Sequence, residues 1–291
     1  MAAAAAPPDD YEALIRLIHE RHGRMSRTHQ AIALHLTQNP TDVALRSVNA
    51  LAADCGIHAS SFVRFAQALG FPGFRDLQAL FRRRLTTAAP GFEARARALE
   101  AELGASGAQS GAAFLGELAA RDIAALRDLA AGTDAAALAH AARLLDEAGT
   151  VYLAGQLRSA PVAELMRYIL TMLGKRCILL DSGGGLATHV ARTMTPQDAL
   201  FAVSFRFYAT EVVNIVEEAA ARGVPVVAVS DSTLSPLARS STVLFAVPEH
   251  GYTFSRSLAA PMCLVQALAL SVAARRQAQG ATPRIPTVTA P

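Results

Sequence analysis

The chain has 291 residues, 52% of them hydrophobic and 18% charged, with a formal net charge of +3 and no Trp. That apolar fraction excludes global disorder, and the length fits two domains at about 150 residues each. Mean hydropathy is positive at +0.27, but no run of about 18 uninterrupted apolar residues exists, which argues against a membrane helix.

Much of the apolar count is alanine, which favours helix more than lipid. Met1 to Pro8 is an alanine run closed by Pro7 and Pro8. It has no charged leading segment and no Leu-rich stretch, so it does not read as a signal peptide, and a cytoplasmic chain is expected. Residues 1–9 are expected to be disordered. The three cysteines, Cys55, Cys177 and Cys263, are scattered in apolar surroundings. They form no CxxC or Cys/His cluster, so buried free thiols are expected, with no disulfide framework, metal or cofactor.

The charge is unevenly placed. Residues 1–87 hold ten arginines against seven carboxylates, while residues 88–291 hold 17 charges of each sign. Lys175 is the only lysine, so the basic surface is arginine. Arginine suits bidentate contact with phosphate or guanine. A merely solvated basic face is the plainer reading of the charge alone.

Residues 10–87 read as a run of short helices. Leu14, Ile15, Leu17 and Ile18 stripe the first. Ser26 is the predicted N-cap of the second, which carries Ile32, Ala33, Leu34 and Leu36 and stops at Asn39-Pro40. A compact block runs from Ser47 to Leu69, broken once at Gly56. A last helix, Arg75 to Leu85, ends in Arg82, Arg83 and Arg84.

Within the block, a helix ends at Cys55 and Gly56 supplies the positive-φ turn. Ala52 is small where two helices would cross, and Ile57 and Phe62 would plug the space between them. This is helix-turn-helix spacing, whose second helix enters the major groove. Ser47, His58, Ala59, Ser60, Ser61 and Arg64 are the candidate DNA-contacting residues. An ordinary helical hairpin is the competing reading.

The stretch Leu51-Ala52-Ala53-Asp54-Cys55-Gly56-Ile57 through Val63-Arg64-Phe65-Ala66 to Leu69-Gly70-Phe71-Pro72-Gly73-Phe74 resembles the N-terminal domain of RpiR/MurR-type bacterial transcription regulators. In that family a helix-turn-helix precedes a SIS (sugar isomerase) domain, and the resemblance spans about residues 10–275.

Residues 88–111 read as a linker, with a helix expected at Glu93–Leu103. Alanine-rich helices are predicted over 112–131 and 134–148, the second capped by Thr133 or Asp134 and stopped at Gly149. From Thr150 the pattern changes. Apolar runs at Val151–Ala154, Cys177–Leu180, Ala199–Ser204, Val224–Ser230 and Thr242–Val247 alternate with helices at Ala160–Leu173, Gly185–Met194, Thr210–Arg222, Pro236–Ser240 and Arg256–Gln277. Continuous apolar strands separated by helices predict a doubly wound, five-stranded parallel sheet. The fold class is thus an all-α helix-turn-helix domain (10–87) plus an α/β SIS-like domain (112–278). The last helix is expected to pack a dimer interface, and residues 279–291 to be disordered.

Ligands in such sheets sit at the carboxyl ends of the strands, near the switch point. There Gly155, Leu157 and Ser159 resemble the SIS "GxGxS" loop, with Leu157 in place of the second glycine. Ser204 to Glu211 resembles "SxSGxTxE": Ser204 and Glu211 match, while Arg206, Phe207 and Ala209 replace serine, glycine and threonine. Those replacements weaken the phosphate cradle that the resemblance implies. Arg158 and Arg206 would supply guanidinium forks instead. The candidate ligand residues are Gly155, Arg158, Ser159, Ser204, Arg206, Tyr208 and Glu211. The competing reading pairs Arg206 with Glu211 or another structural carboxylate. Asp181-Ser182-Gly183-Gly184-Gly185 reads as a simple loop, and Ser235 as an N-cap with Pro236 behind it.

An isomerase needs a positioned base. Glu211, His189 and His250 are candidates, but none sits in a catalytic motif, so no catalytic residue is assigned. The expectation is a transcription regulator that forms a homodimer or homotetramer, binds a double-stranded operator and senses a small anionic metabolite, a sugar phosphate or sugar acid. The alternative is a SIS-type sugar-phosphate isomerase with a helical assembly domain.

Overall fold

The computed structural model describes residues 7–86, 99–100, 102–104, 111–181, 183–206, 208–247, 254 and 256–280. The chain forms two compact units, 1–96 and 97–291. The helix expected at Glu93–Leu103 and the tail over 279–291 lie mostly outside the described residues, as does His250.

The first unit is helical: α1 Tyr11–His22, α2 Arg27–Gln38, α3 Pro40–Leu45, α4 Val48–Cys55, α5 Ala59–Ala68 and α6 Phe74–Thr86. Asp10, Ser26 and Ser47 cap α1, α2 and α4 by accepting from the backbone N–H groups of Ala13, His29 and Ala50, as small polar residues do when helix donors lack partners. Pro40 does not simply end α2. It occupies the first turn of α3, where its missing N–H costs nothing. The carbonyls at the end of this short helix are met from α6. Gln78 donates to Val43 O at 2.8 Å and Arg46 O at 2.7 Å, and Arg82 Nε donates to Ala44 O at 3.0 Å. Leu14, Ile18, Ile32, Leu36, Leu51, Phe62, Phe65 and Leu77 form a fully buried core.

The second unit begins with α7 Gly111–Gly132 and α8 Ala135–Glu147. Five strands follow: β1 Val151–Gly155, β2 Cys177–Leu179, β3 Ala199–Val203, β4 Val226–Ser230 and β5 Val243–Ala246. They are parallel throughout, in the order β2-β1-β3-β4-β5. The helices between and after them are α9 Ala160–Met172, α10 Ala187–Ala191, α11 Thr210–Ala221 and α12 Ala259–Ala278. Strand residues alternate between two cores. Leu153, Phe201, Val203, Val227 and Val229 face α7, α8, α9 and α12. Tyr152, Ala154, Leu200, Ala202 and Ala228 face α10 and α11. Both faces of the sheet are therefore covered, which is why the strands read as unbroken apolar runs.

Several expectations are corrected. The helix predicted over Gly185–Met194 is only Ala187–Ala191, preceded by a 3₁₀ turn. Gly184 and Gly185 adopt φ of 71° and 70°, which a continuing helix does not allow. Over Pro236–Ser240 only the 3₁₀ turn Ala238–Ser240 forms. The last helix begins at Ala259 rather than Arg256; Leu264, Val265, Leu268 and Val272 lie in the chain's own core, while Leu270 is exposed. Cys263 is exposed, while Cys55 and Cys177 are partly buried. Lys175, the sole lysine, is not a surface charge. It is buried and donates to Asp146 O at 2.6 Å and Ala148 O at 2.7 Å, closing the end of α8.

Candidate functional site

The first candidate surface is the α4–α5 corner. Gly56 takes φ +63°, and Ile57 N–H donates back to Ala52 O at 3.0 Å. This left-handed close turns the chain sharply between the two helices. Ala52 and Phe62 are buried at the crossing, and Ile57 is half-buried.

α5 buries Ser61, Phe62, Phe65 and Ala66 and, besides its last residue Ala68, exposes Ser60, Val63, Arg64 and Gln67. The exposed four fall at i, i+3, i+4 and i+7, so they form one stripe. Of the predicted residues, His58 is exposed and caps α5 without a side-chain bond, and Ser60 and Arg64 lie on the stripe. Ala59 is half-buried. Ser61 is corrected: it is buried, and its hydroxyl accepts from Arg64 Nη2 at 3.2 Å. Ser47 is a helix cap, its Oγ engaged by Ala50 N–H at 3.2 Å. Val63 and Gln67 were missed. Extending the 3.6-residue period from Ser60 would have found them.

Not all the arginine of this unit is available. Arg46 is held by Asp54 at 2.5 Å, Arg82 by α3, and Arg83 donates to Asp9 O at 2.7 Å. Arg24, Arg27, Arg64 and Arg75 are exposed.

The second candidate site lies at the carboxyl ends of the strands. β1 leads to β2 on one side and β3 leads to β4 on the other, so the switch point falls between β1 and β3. Gln156, just beyond β1, donates through Nε2 to Glu211 Oε2, in the first turn of α11. Thr188 of α10 donates to the other Glu211 oxygen at 3.3 Å. Glu211 thus ties together the loops that follow β1, β2 and β3.

Gly155 is required by packing. A Cβ there would stand 2.9 Å from both Ala163 Cβ and the Ser159 carbonyl oxygen. Leu157, where the motif has its second glycine, adopts a left-handed conformation at φ 53° and is 82% exposed. Ser159 is buried, and its Oγ accepts from Phe205 N–H at 3.3 Å. Arg158 does not reach across toward Arg206. It donates to the carbonyls of Arg256 and Ser257 at 3.1 and 3.2 Å and stacks 4.9 Å from the Phe205 ring.

Arg206 is paired, as the competing reading had it, but with Asp231 rather than Glu211. Its Nε lies 3.6 Å from Asp231 Oδ2. Tyr208 hydroxyl donates to Asp231 Oδ1 at 2.9 Å and is buried. Ser204, also buried, accepts at its backbone oxygen from Ser230 Oγ at 2.7 Å. The structure therefore brings Arg206, Tyr208 and Asp231 together, and separately Gln156, Thr188 and Glu211. Asp231, Gln156 and Thr188 are absent from the candidates drawn from the sequence. No periodicity marks a carboxylate whose partner lies on another strand.

Among the described residues no helix is long and apolar enough to cross a membrane, and no group of three or more His, Cys, Asp or Glu could hold a metal ion.

These two units define a class: a helix-turn-helix domain joined to a SIS domain. Residues 13–87 match the helix-turn-helix domain of the rpiR family, and residues 144–271 match the SIS domain. The chain belongs to the RpiR/MurR type. Among solved structures, the sugar isomerase domain of an RpiR transcription factor from Sphaerobacter thermophilus is 29% identical with a TM-score of 0.53. It covers 56% of this chain and 91% of its own. The Vibrio vulnificus NanR protein complexed with ManNAc-6P is 21% identical, with a TM-score of 0.52, covering 92% of this chain and 94% of its own. A putative sugar-phosphate isomerase from Listeria monocytogenes is 16% identical, with a TM-score of 0.50, covering 60% and 95%. The last two likenesses are of fold. The comparison with curated proteins returned no match.

Proposed function

We propose that this protein is a cytoplasmic transcription regulator. Its helix-turn-helix reads a DNA operator, and its SIS domain senses a small anionic metabolite, a sugar phosphate or sugar acid. The observation that carries the reading is the exposed stripe Ser60, Val63, Arg64 and Gln67 on the helix that follows the Gly56 turn. These side chains suit a major groove: Arg64 for guanine or phosphate, Gln67 for adenine, Val63 for a thymine methyl. The protein acts as a homodimer or homotetramer, because two reading heads match two half-sites of a palindromic operator. The ligand site is the strand-end region around Arg158, Ser159, Ser204, Arg206 and Glu211. A ligand that prefers one arrangement of the assembly biases operator affinity.

The isomerase reading draws on the SIS fold and on Glu211, which accepts from Gln156 and Thr188 beside the β1/β3 switch point. Both Glu211 oxygens already accept hydrogen bonds, and His189 is exposed on α10, so neither has the poised setting of a general base. A mobility-shift assay on the DNA upstream of the protein's own gene, run beside turnover assays on ketose and aldose phosphates, separates the two. A retarded band without turnover supports the regulator. Turnover without a retarded band overturns it.

A further inference from the structure

We infer that the strand-end site takes an unphosphorylated sugar acid in preference to a phosphorylated sugar. This rests on the reading of the SIS domain as a metabolite sensor and narrows it to one of its two ligand classes.

Three observations converge. The first is charge balance. In the loops following β1, β3 and β4, up to the first turn of α11, the charged side chains are Arg158, Arg206, Glu211 and Asp231, besides Arg239, whose charge is met by Glu217 of α11 at 2.5 Å. Two guanidiniums meet two carboxylates. Asp231 is buried against Arg206 at 3.6 Å and held by Tyr208 at 2.9 Å, so its charge is fixed beside that guanidinium. A carboxylate ligand adds one negative charge to this neutral setting. A phosphate monoester adds nearly two, and repulsion from fixed carboxylates grows with the charge brought in.

The second observation is at the helix start. α11 has Ala209 at its N-cap, with no side-chain cap bond, and Glu211 lies in its first turn. A resident carboxylate already complements that end of the helix dipole, so the turn offers little to a second anion. The third is steric. Leu157 holds a left-handed backbone at φ 53°, where glycine would leave the amides open, and projects an isobutyl group that is 82% exposed. An exposed hydrocarbon group on this loop makes it a poorer seat for a dianion than glycine would.

What remains suits hydroxyls. The Gln156 amide, the Thr188 hydroxyl and the Glu211 carboxylate place donors and acceptors in one hydrogen-bonded set, and each has lone pairs or protons beyond those bonds.

The test measures binding of matched pairs to the full-length protein by calorimetry: gluconate against 6-phosphogluconate, erythronate against 4-phosphoerythronate, and glycerate against 3-phosphoglycerate. The unphosphorylated member is expected to bind at least tenfold tighter in the pairs that bind. Tighter binding of the phosphorylated member overturns the inference while leaving the sensor reading intact. Absence of binding by every member overturns the sensor reading itself. Asp231→Asn, which leaves one net positive charge, is expected to move the ratio at least tenfold toward the phosphorylated member. Leu157→Gly, at an exposed position, is expected to move it the same way should the first variant not fold. An unchanged ratio in a folded variant overturns the inference.

Discussion

Arg206 Nε lies 3.6 Å from Asp231 Oδ2, with the aspartate side chain only 1% exposed and the arginine 12%. Breaking a buried pair leaves one charge without compensation and costs about 3–5 kcal/mol, more than the intact pair contributes. Asp231→Ala also removes the acceptor for the Tyr208 hydroxyl. The variant is expected to lose about 3 kcal/mol in urea unfolding, and a loss below about 1 kcal/mol would show that Arg206 relaxes to water. Arg206→Met, close in volume and without charge, is expected to cost less than Arg206→Ala.

Gly155→Ala is a sharper steric test. The added methyl would meet Ala163 Cβ and the Ser159 carbonyl oxygen at 2.9 Å. Neither is the far end of a flexible side chain. Overpacking of this kind costs about 1–3 kcal/mol. The same substitution at Gly116, where a Cβ meets nothing within 4 Å, is expected to be neutral or stabilising because alanine favours helix. Thermal melts of the two variants side by side check this contrast.

Lys175 gives a chemical readout of burial. It is the only lysine, and both of its recorded bonds run to backbone carbonyls at the end of α8. An amine-acylating reagent is expected to reach Lys175 only on unfolding, as peptide mass spectrometry would show. Burial, together with the nearby Arg276 charge, lowers its pKa from the ordinary 10.5. In the window just below 10.5 the unfolded chain binds more protons than the folded one. The contribution of this group to stability therefore rises with pH there. A melting temperature that falls faster across that window in the wild type than in Lys175→Met would contradict the sign.

The thiols are ordered by the same physics. Burial raises the pKa of Cys55 and Cys177, with the Asp54 charge adding to the effect at Cys55, and thiolate is the reactive form. Cys263 is exposed. Iodoacetamide at pH 8 is expected to modify Cys263 first, and modification of Cys177 at an equal rate would mean that α9 and β2 open readily.

The chain wrote its architecture plainly and its site only in part. Five unbroken apolar runs such as Ala199–Val203 mark strands covered on both faces, and Gly56 marks the turn between α4 and α5, because both rules are local. α3 was hidden because Pro40 both stops one helix and starts another. Its end is completed by Gln78, about thirty residues away. The short α10 was overextended because glycine's left-handed φ at 184 and 185 shows only in the backbone. In the candidate site, Ser204 ends up buried beside β4 and Glu211 in the first turn of α11. The partners that set their chemistry, Asp231, Gln156 and Thr188, sit on other loops and were invisible to spacing. That Ser61 is buried was not legible either, because its place in the first turn says nothing of which side of α5 faces the core.

The central claim is that the exposed stripe of α5 reads DNA, and Arg64→Ala tests it most directly. Arg64 is exposed, and its one recorded bond is to Ser61 within the same helix, so the change leaves the core intact. Fluorescence anisotropy on the DNA upstream of the protein's own gene, titrated across salt concentrations, reports affinity and salt slope together. The account predicts weaker binding by about 1–3 kcal/mol if Arg64 reads a base, or a slope reduced by about one counterion per half-site if it meets phosphate. Affinity and slope both unchanged, in a variant that melts like the wild type, would contradict it.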